Sequence, residues 1–169
     1  MTFRIGEKVV YPNQGVGTIE NITTRPSGVQ FERFYLLRLS YSTMTVMVPF
    51  SHVEEVGLRR VTRNGEIGRI LLFLSNNGCR FCHDWKGRFK ENSEKMRGGS
   101  LFEIAEVLKT LLILQRDKPL SFREKKMLDR ARQMLISELS ISRAMRPQEA
   151  SDLLQRSLTK ASLTLPPPL

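Results

Sequence analysis

The chain has 169 residues, 40% of them hydrophobic and 26% charged, which is enough apolar material for one large or two small packed domains and argues against a disordered tract or a fibrous repeat. Its formal net charge of +10 is uneven: residues 1–60 hold 7 of the 27 Lys/Arg and 5 of the 17 Asp/Glu, so the positive excess lies after residue 60. Such an excess favours a polyanionic partner, nucleic acid before anionic membrane, because each neutralised phosphate releases condensed counterions.

Residues 2–60 read as short strands. Apolar alternation runs through Val9–Tyr11, Val16–Ile22, Phe34–Leu39 and Met44–Val48, punctuated by Pro12-Asn13-Gln14-Gly15 and Pro26-Ser27-Gly28. Strands this short are best served by one small, strongly bent barrel, which buries its inner face and limits exposed edges. After Val61 the apolar period changes to about 3.6, beginning with Ile67, Ile70, Leu71 and Leu74, and everything beyond should be helical. Asn76-Asn77-Gly78 breaks the first helix, Asp84 can cap a second that runs to about Arg97, and Gly98-Gly99 ends it.

Ser100-Leu-Phe-Glu103 is a capping box ahead of an apolar face of Leu101, Ile104, Ala105, Leu108, Leu111 and Leu112, so this helix should lie at the domain centre. Lys118-Pro119 stops it. Ser121-Phe-Arg-Glu124 opens a second box before Met127, Leu128, Ala131, Leu135 and Leu139. Pro147 suits the first turn of a last helix, and Leu165-Pro-Pro-Pro-Leu169 should be extended and frayed. The expected division is 1–62, 63–160 and a tail of 161–169.

The start MTFRIGEKVVYP lacks the layout of a signal peptide, and no apolar run approaches the ~18 residues of a bilayer span, so a cytoplasmic protein without membrane contact is expected. Cys79, Cys82 and His83 match the Cys-x-x-Cys-His pattern of covalent haem attachment, which happens outside the cytosol and needs export. As a zinc site they are one ligand short, with His52 the sole other histidine. Two reduced thiols in a loop is the reading preferred, with a metal- or haem-binding protein kept as an alternative. Phosphate loops, nucleophile elbows and metal-ligand helices are missing, so neither an enzyme nor a cofactor is expected.

The informative segment begins at the single tryptophan. Trp85, Arg88, Phe89, Asn92 and Met96 fall on one side of a helix, and the default for such a stripe is core. Trp85 departs from it, standing in the first turn among Lys86, Arg88, Lys90, Lys95 and Arg97. An aromatic among cations is what minor-groove and junction binders use: cations hold phosphates while the wedge stacks on bases. Asn92 suits a base edge and a buried or capping amide equally. On the helix after Ser121, Arg123, Lys126 and Arg130 share a face, with Lys125 and Arg132 beside the apolar stripe. Together the two clusters read as a surface that grips the DNA backbone without reading sequence.

Phe3-Arg-Ile-Gly-Glu-Lys-Val-Val-Tyr-Pro-Asn-Gln-Gly15, Thr45-Val-Met-Val-Pro49 and Val56-Gly-Leu-Arg59 resemble the N-terminal domain of the CarD and CdnL regulators, a domain type also present in transcription–repair coupling factor. The resemblance continues through Asp84–Met96, Ala105–Lys109 and Leu120–Leu128. It implies an α+β protein: a Tudor-like barrel that docks by a strand edge on the RNA polymerase β subunit, then about five helices that meet promoter DNA at the upstream edge of the bubble and stabilise the open complex.

By position, Met47, Pro49 and Arg25 become polymerase contacts and Trp85 the minor-groove wedge. Lys86, Arg88, Lys90 and Lys125 become DNA contacts, with Asn92 and Met96 lining or supporting the same surface. A monomer is expected, nucleoid-associated through polymerase. The alternative is a general nucleic-acid or chromatin-associated protein without polymerase contact. Met47 and Gly87 depart from the family pattern, where Arg and a long polar side chain occur.

Overall fold

The computed structural model describes residues 2–12, 14–40, 44–76, 85–98 and 100–169. They form two compact units, Met1–Val61 and Thr62–Leu169.

The first unit is an antiparallel five-stranded sheet. Its strands are β1 (Lys8–Tyr11), β2 (Gly15–Ser27), β3 (Gln30–Leu39), β4 (Thr45–Pro49) and β5 (Arg59–Arg60), in the spatial order β4-β3-β2-β1-β5. A 3₁₀ turn, Phe50–His52, and the short helix α1 (Val53–Val56) carry the chain from β4 to β5 at opposite ends of the sheet. β2 bends at a register shift between Ile19 and Asn21. There Gly17 lets it press on β3, since a Cβ at Gly17 would stand 2.8 Å from the Arg38 carbonyl oxygen.

Inside the bend, Phe3, Val9, Ile19, Tyr35, Leu37, Leu39 and Val48 form the core. Tyr35 is its hub: its ring stacks on Phe50 at 4.2 Å and its hydroxyl accepts the Phe3 N–H at 3.0 Å. Glu7 ties β5 to the start of the chain by accepting from Arg60 Nε at 2.8 Å and from the Arg4 N–H at 2.8 Å.

β2 and β3 outrun the alternation seen in the sequence. Pro26-Ser27-Gly28, expected to be a loop, supplies the last two residues of β2, and the turn is Gly28-Val29. Gly28 has φ +65°, whereas Val29 is not among the residues with positive φ, as a two-residue turn with glycine first requires. The outer half of this hairpin is exposed on both faces, so no hydrophobic period marks it.

The second unit holds α2 (Asn64–Ser75), α3 (Trp85–Gly98), α4 (Leu101–Asp117), α5 (Phe122–Ser142) and α6 (Pro147–Thr159). Both serine caps form: Ser100 Oγ accepts from the Glu103 N–H at 3.4 Å and Ser121 Oγ from the Glu124 N–H at 3.2 Å. Helix α4 is central, packed against α2, α3 and α5, and buries Leu101, Ile104, Ala105, Val107, Leu108, Leu111 and Leu112. Each fully buried leucine contributes roughly 1.5–3 kcal/mol. Thr62 is held by Glu138 of α5, which accepts its backbone N–H at 2.8 Å and its hydroxyl.

The terminal segment corrects one expectation. The segment expected to be frayed, Leu165–Leu169, is tied down at its start: Ala161 and Leu163 before it are buried in the helical core, the Leu165 N–H donates to Gln155 Oε1 at 2.9 Å and Arg132 donates to the Pro166 carbonyl, whereas Pro167, Pro168 and Leu169 are exposed. The turn that ends α6 explains it: Ser162 takes φ +60° and the Leu163 N–H donates to the Leu158 carbonyl at 3.0 Å, which folds Ala161 and Leu163 back onto the core, while backbone groups beyond it find side-chain partners.

Candidate nucleic-acid and protein interfaces

In the β unit, strand register decides which side chains share a face. Tyr35, Leu37 and Leu39 point inward, so Phe34 and Leu36 point outward. Met47 is paired with Leu36, Pro49 with Phe34, and Arg25 with Glu32, which places all six residues on the outer face. Phe34, Leu36, Met47 and Pro49 are each half-buried there, on an end strand and its only neighbour. Arg25 is exposed and stands across β3 from them, on the outer half of the hairpin. Sequence reasoning missed Phe34 and Leu36. The signal was the unbroken run Phe34-Tyr35-Leu36-Leu37, since a strand apolar on both faces has something to cover on each.

In the helical unit, α3 and α5 meet at their first turns. Arg88 Nε donates to Glu124 Oε2 at 3.3 Å, with the Arg88 side chain 13% and the Glu124 side chain 3% exposed. One residue on from Arg88 in α3 and one back from Glu124 in α5, the Arg123 guanidinium lies over the Phe89 ring at 4.5 Å. Glu124 does not complete its box by reaching back to the Ser121 N–H; its carboxylate takes the Ser121 hydroxyl at 3.3 Å and Arg88. A cation outcompetes a neutral donor for a buried carboxylate.

Around this junction Lys90 of α3 and Arg123, Lys125, Lys126 and Arg130 of α5 are exposed, as is Arg97 in the last turn of α3. Lys95 is engaged by Glu91 at 3.6 Å and Glu106 at 3.5 Å. Arg132, grouped with the cations in the sequence, is buried and bound to Asp129 and Pro166.

Trp85 and Lys86 open α3 as expected. Asn92 and Met96 are expected to line or support the same surface, and their burial bears on which of the two they do. Asn92 and Met96 are buried, Met96 within the hydrophobic core, so neither lines an accessible surface. Asn92 Nδ2 has no hydrogen-bond partner among the described residues. The reason is composition: α3 has so few apolar residues that the side carrying Met96 must serve as its inner face, and Arg88, Asn92 and Met96 succeed one another along it. Arg88 is therefore spent partly on Glu124, while Lys90 and Lys125 remain on the surface. Cys79, Cys82, His83 and the cap at Asp84 lie outside the described residues. Among the described residues no group of three His, Cys, Asp or Glu could hold a metal, and no helix is long and apolar enough to cross a membrane.

Comparison with known proteins fits both halves of this arrangement. Residues 3–62 match the CarD-like/TRCF RID domain and residues 69–155 match the CarD C-terminal domain. The chain belongs to the CarD family. Among CarD relatives, the "Putative transcription factor YdeB" of Bacillus subtilis (strain 168) is 37% identical over 139 residues, covering 82% of this chain and 91% of that protein. The solution NMR structure of the 72-residue N-terminal domain of Myxococcus xanthus CarD is 34% identical and covers 35% of this chain and 79% of that one, with a TM-score of 0.31. The fold class is α+β, a small Tudor-like β domain followed by a helical domain.

Proposed function

We propose that this CarD-family protein is a transcription regulator that binds the RNA polymerase β subunit through its β unit and the upstream edge of the promoter bubble through its helical unit. The observation that carries the DNA half is the junction of α3 and α5: the first turn of α3, which begins with Trp85, is tied by the Arg88–Glu124 pair to a helix start bearing Arg123, Lys125 and Lys126. Lys86, Lys90 and Lys125 hold phosphates, with Arg88 contributing the part of its fork that Glu124 leaves. Trp85 occupies the gap where a base step has unstacked, and re-closure of the duplex must first expel it. Phosphate contacts position and do not specify, so promoter preference is weak.

The polymerase half rests on the outer face of β3 and β4. End strands present unpaired N–H and C=O groups on which another strand can dock, and Met47 and Pro49, with Phe34 and Leu36 behind them, add apolar contact. The protein acts as a monomer, tethered to polymerase, so that a weak DNA contact works at high local concentration.

The test is the lifetime of open complexes on a linear promoter fragment challenged with heparin. Wild-type protein should lengthen it, and Trp85→Ala should remove most of the gain while still co-purifying with polymerase. An unchanged lifetime with Trp85→Ala would sink the wedge. Failure of the β unit's protein to bind the isolated β-subunit lobe would leave a general nucleic-acid binder.

A further inference from the structure

Phe122 is the first residue of α5 and is 66% exposed. Capping does not require it, since the box is made by Ser121 and Glu124 on either side. Phe102, the other exposed phenylalanine among the described residues of that unit, has its ring against Phe73 at 4.9 Å. Phe122 instead has a cation over its face, with Lys126 Nζ 4.7 Å from the ring centroid.

The surroundings are one-signed. Arg123, Lys125, Lys126 and Arg130 are exposed on the same helix, whereas its first acidic residues are withdrawn, Glu124 to Arg88 and Asp129 to Arg132. The Arg123–Phe89 and Arg88–Glu124 contacts fix this turn against the first turns of α3.

We propose that Phe122, with Lys126, is a second aromatic contact to DNA: it stacks on an unpaired base beside the duplex whose phosphates the α3–α5 junction holds. The partner is a duplex with unpaired bases at one end, because an exposed π face flanked by cations fits a base plane followed by phosphates, and every base offers such a plane. A protein surface would not need so uniform a positive surround. This rests on the DNA-binding reading above.

The experiment is fluorescence anisotropy of the full chain with two labelled oligonucleotides of one sequence at fixed low salt, a blunt duplex and a fork with unpaired bases. Phe122→Ala should weaken fork binding about 5- to 150-fold and duplex binding less than twofold, and Phe122→Tyr should keep wild-type affinity. The side chain is on the surface, and an unchanged melting temperature confirms that the variant is folded.

Equal affinity of wild type and Phe122→Ala for the fork overturns the stacking. An equal loss on both probes also overturns it, since that would place the residue behind phosphate contacts alone. Loss of polymerase co-purification with DNA binding intact assigns Phe122 to a protein contact and overturns it too. Wild type that binds neither probe refutes the DNA reading itself, and this inference with it.

Discussion

Removal of the Arg88 side chain should be unusually costly for a residue on a basic face. Glu124 is nearly completely buried and, among the described residues, Arg88 is its only cationic partner, so Arg88→Ala leaves a carboxylate out of water with only the Ser121 hydroxyl. Breaking a buried pair from one side costs about 3–5 kcal/mol; the partly exposed guanidinium argues for the lower end, about 3. With Thr62–Leu169 as the melting unit and an unfolding entropy near 2.1 cal/mol/K per residue, 3 kcal/mol corresponds to a fall of about 13 °C in the midpoint of the helical circular-dichroism signal.

Glu124→Ala should cost less, about 1–2 kcal/mol, because Arg88 can turn towards water. The double change Arg88→Met with Glu124→Leu should recover most of the loss. A cost below about 1 kcal/mol for Arg88→Ala, or additive single changes, would refute the argument. There is a functional corollary: DNA-binding losses with Arg88→Ala must be compared at matched folded fraction, and Arg88→Lys, which keeps the charge and loses the fork, is the cleaner probe of a phosphate contact.

Two further outcomes follow from the fold. Glu7 is held below its ordinary value of 4.5 chiefly by the Arg4 N–H, assisted by Arg60 and opposed by burial. A carboxylate with a lowered folded pKa contributes stability above its unfolded pKa and loses it as pH falls through the folded one. The stability gap between wild type and Glu7→Gln in urea titrations should thus be constant from pH 7 to about 5 and shrink towards pH 3. A gap that grows on acidification would reverse the sign. Leu163→Ala should destabilise the helical unit by about 2–5 kcal/mol in the same titrations, as expected of a core leucine, whereas a frayed tail would give a change within about 0.5 kcal/mol.

What was legible in the sequence was whatever local chemistry specifies. Ser100 and Ser121 announce helix starts because their partners lie three residues on, and the apolar face of α4 announces its central place. Pairings between distant segments left no such mark. Glu124 finds Arg88 across 36 residues and Glu138 finds Thr62 across 76, so these acids read as surface charges until the fold brings their partners up. Lys109 is the sharpest case, 1% exposed, with Nζ donating to the Phe73 carbonyl at 2.6 Å.

The candidate site was legible in part. Trp85 and the cations were found by composition, but the stripe that grouped Asn92 and Met96 with them was the inner face of α3, and periodicity alone does not say which way a face turns. The start of the tail left little mark, because the turn that folds Ala161 and Leu163 back onto the core places Ser162 in the left-handed conformation that a glycine usually signals.

Helix α5 has a consequence in mechanical terms. Its 21 residues make a rod about 31 Å long, and three fastenings are spread along it: Glu124 to Arg88 near its start, Arg132 to Pro166 at its middle, and Glu138 and Ser142 to Thr62 near its end. Thr62 is where the chain enters the helical unit, so tension pulling on that point is delivered to the far end of the rod and travels along its hydrogen-bonded axis to the turn that carries Arg123 and Lys125. Load applied at Thr62 therefore has a route to the α3–α5 junction along one stiff member, in addition to the side-chain packing of α5 on α4 and α6.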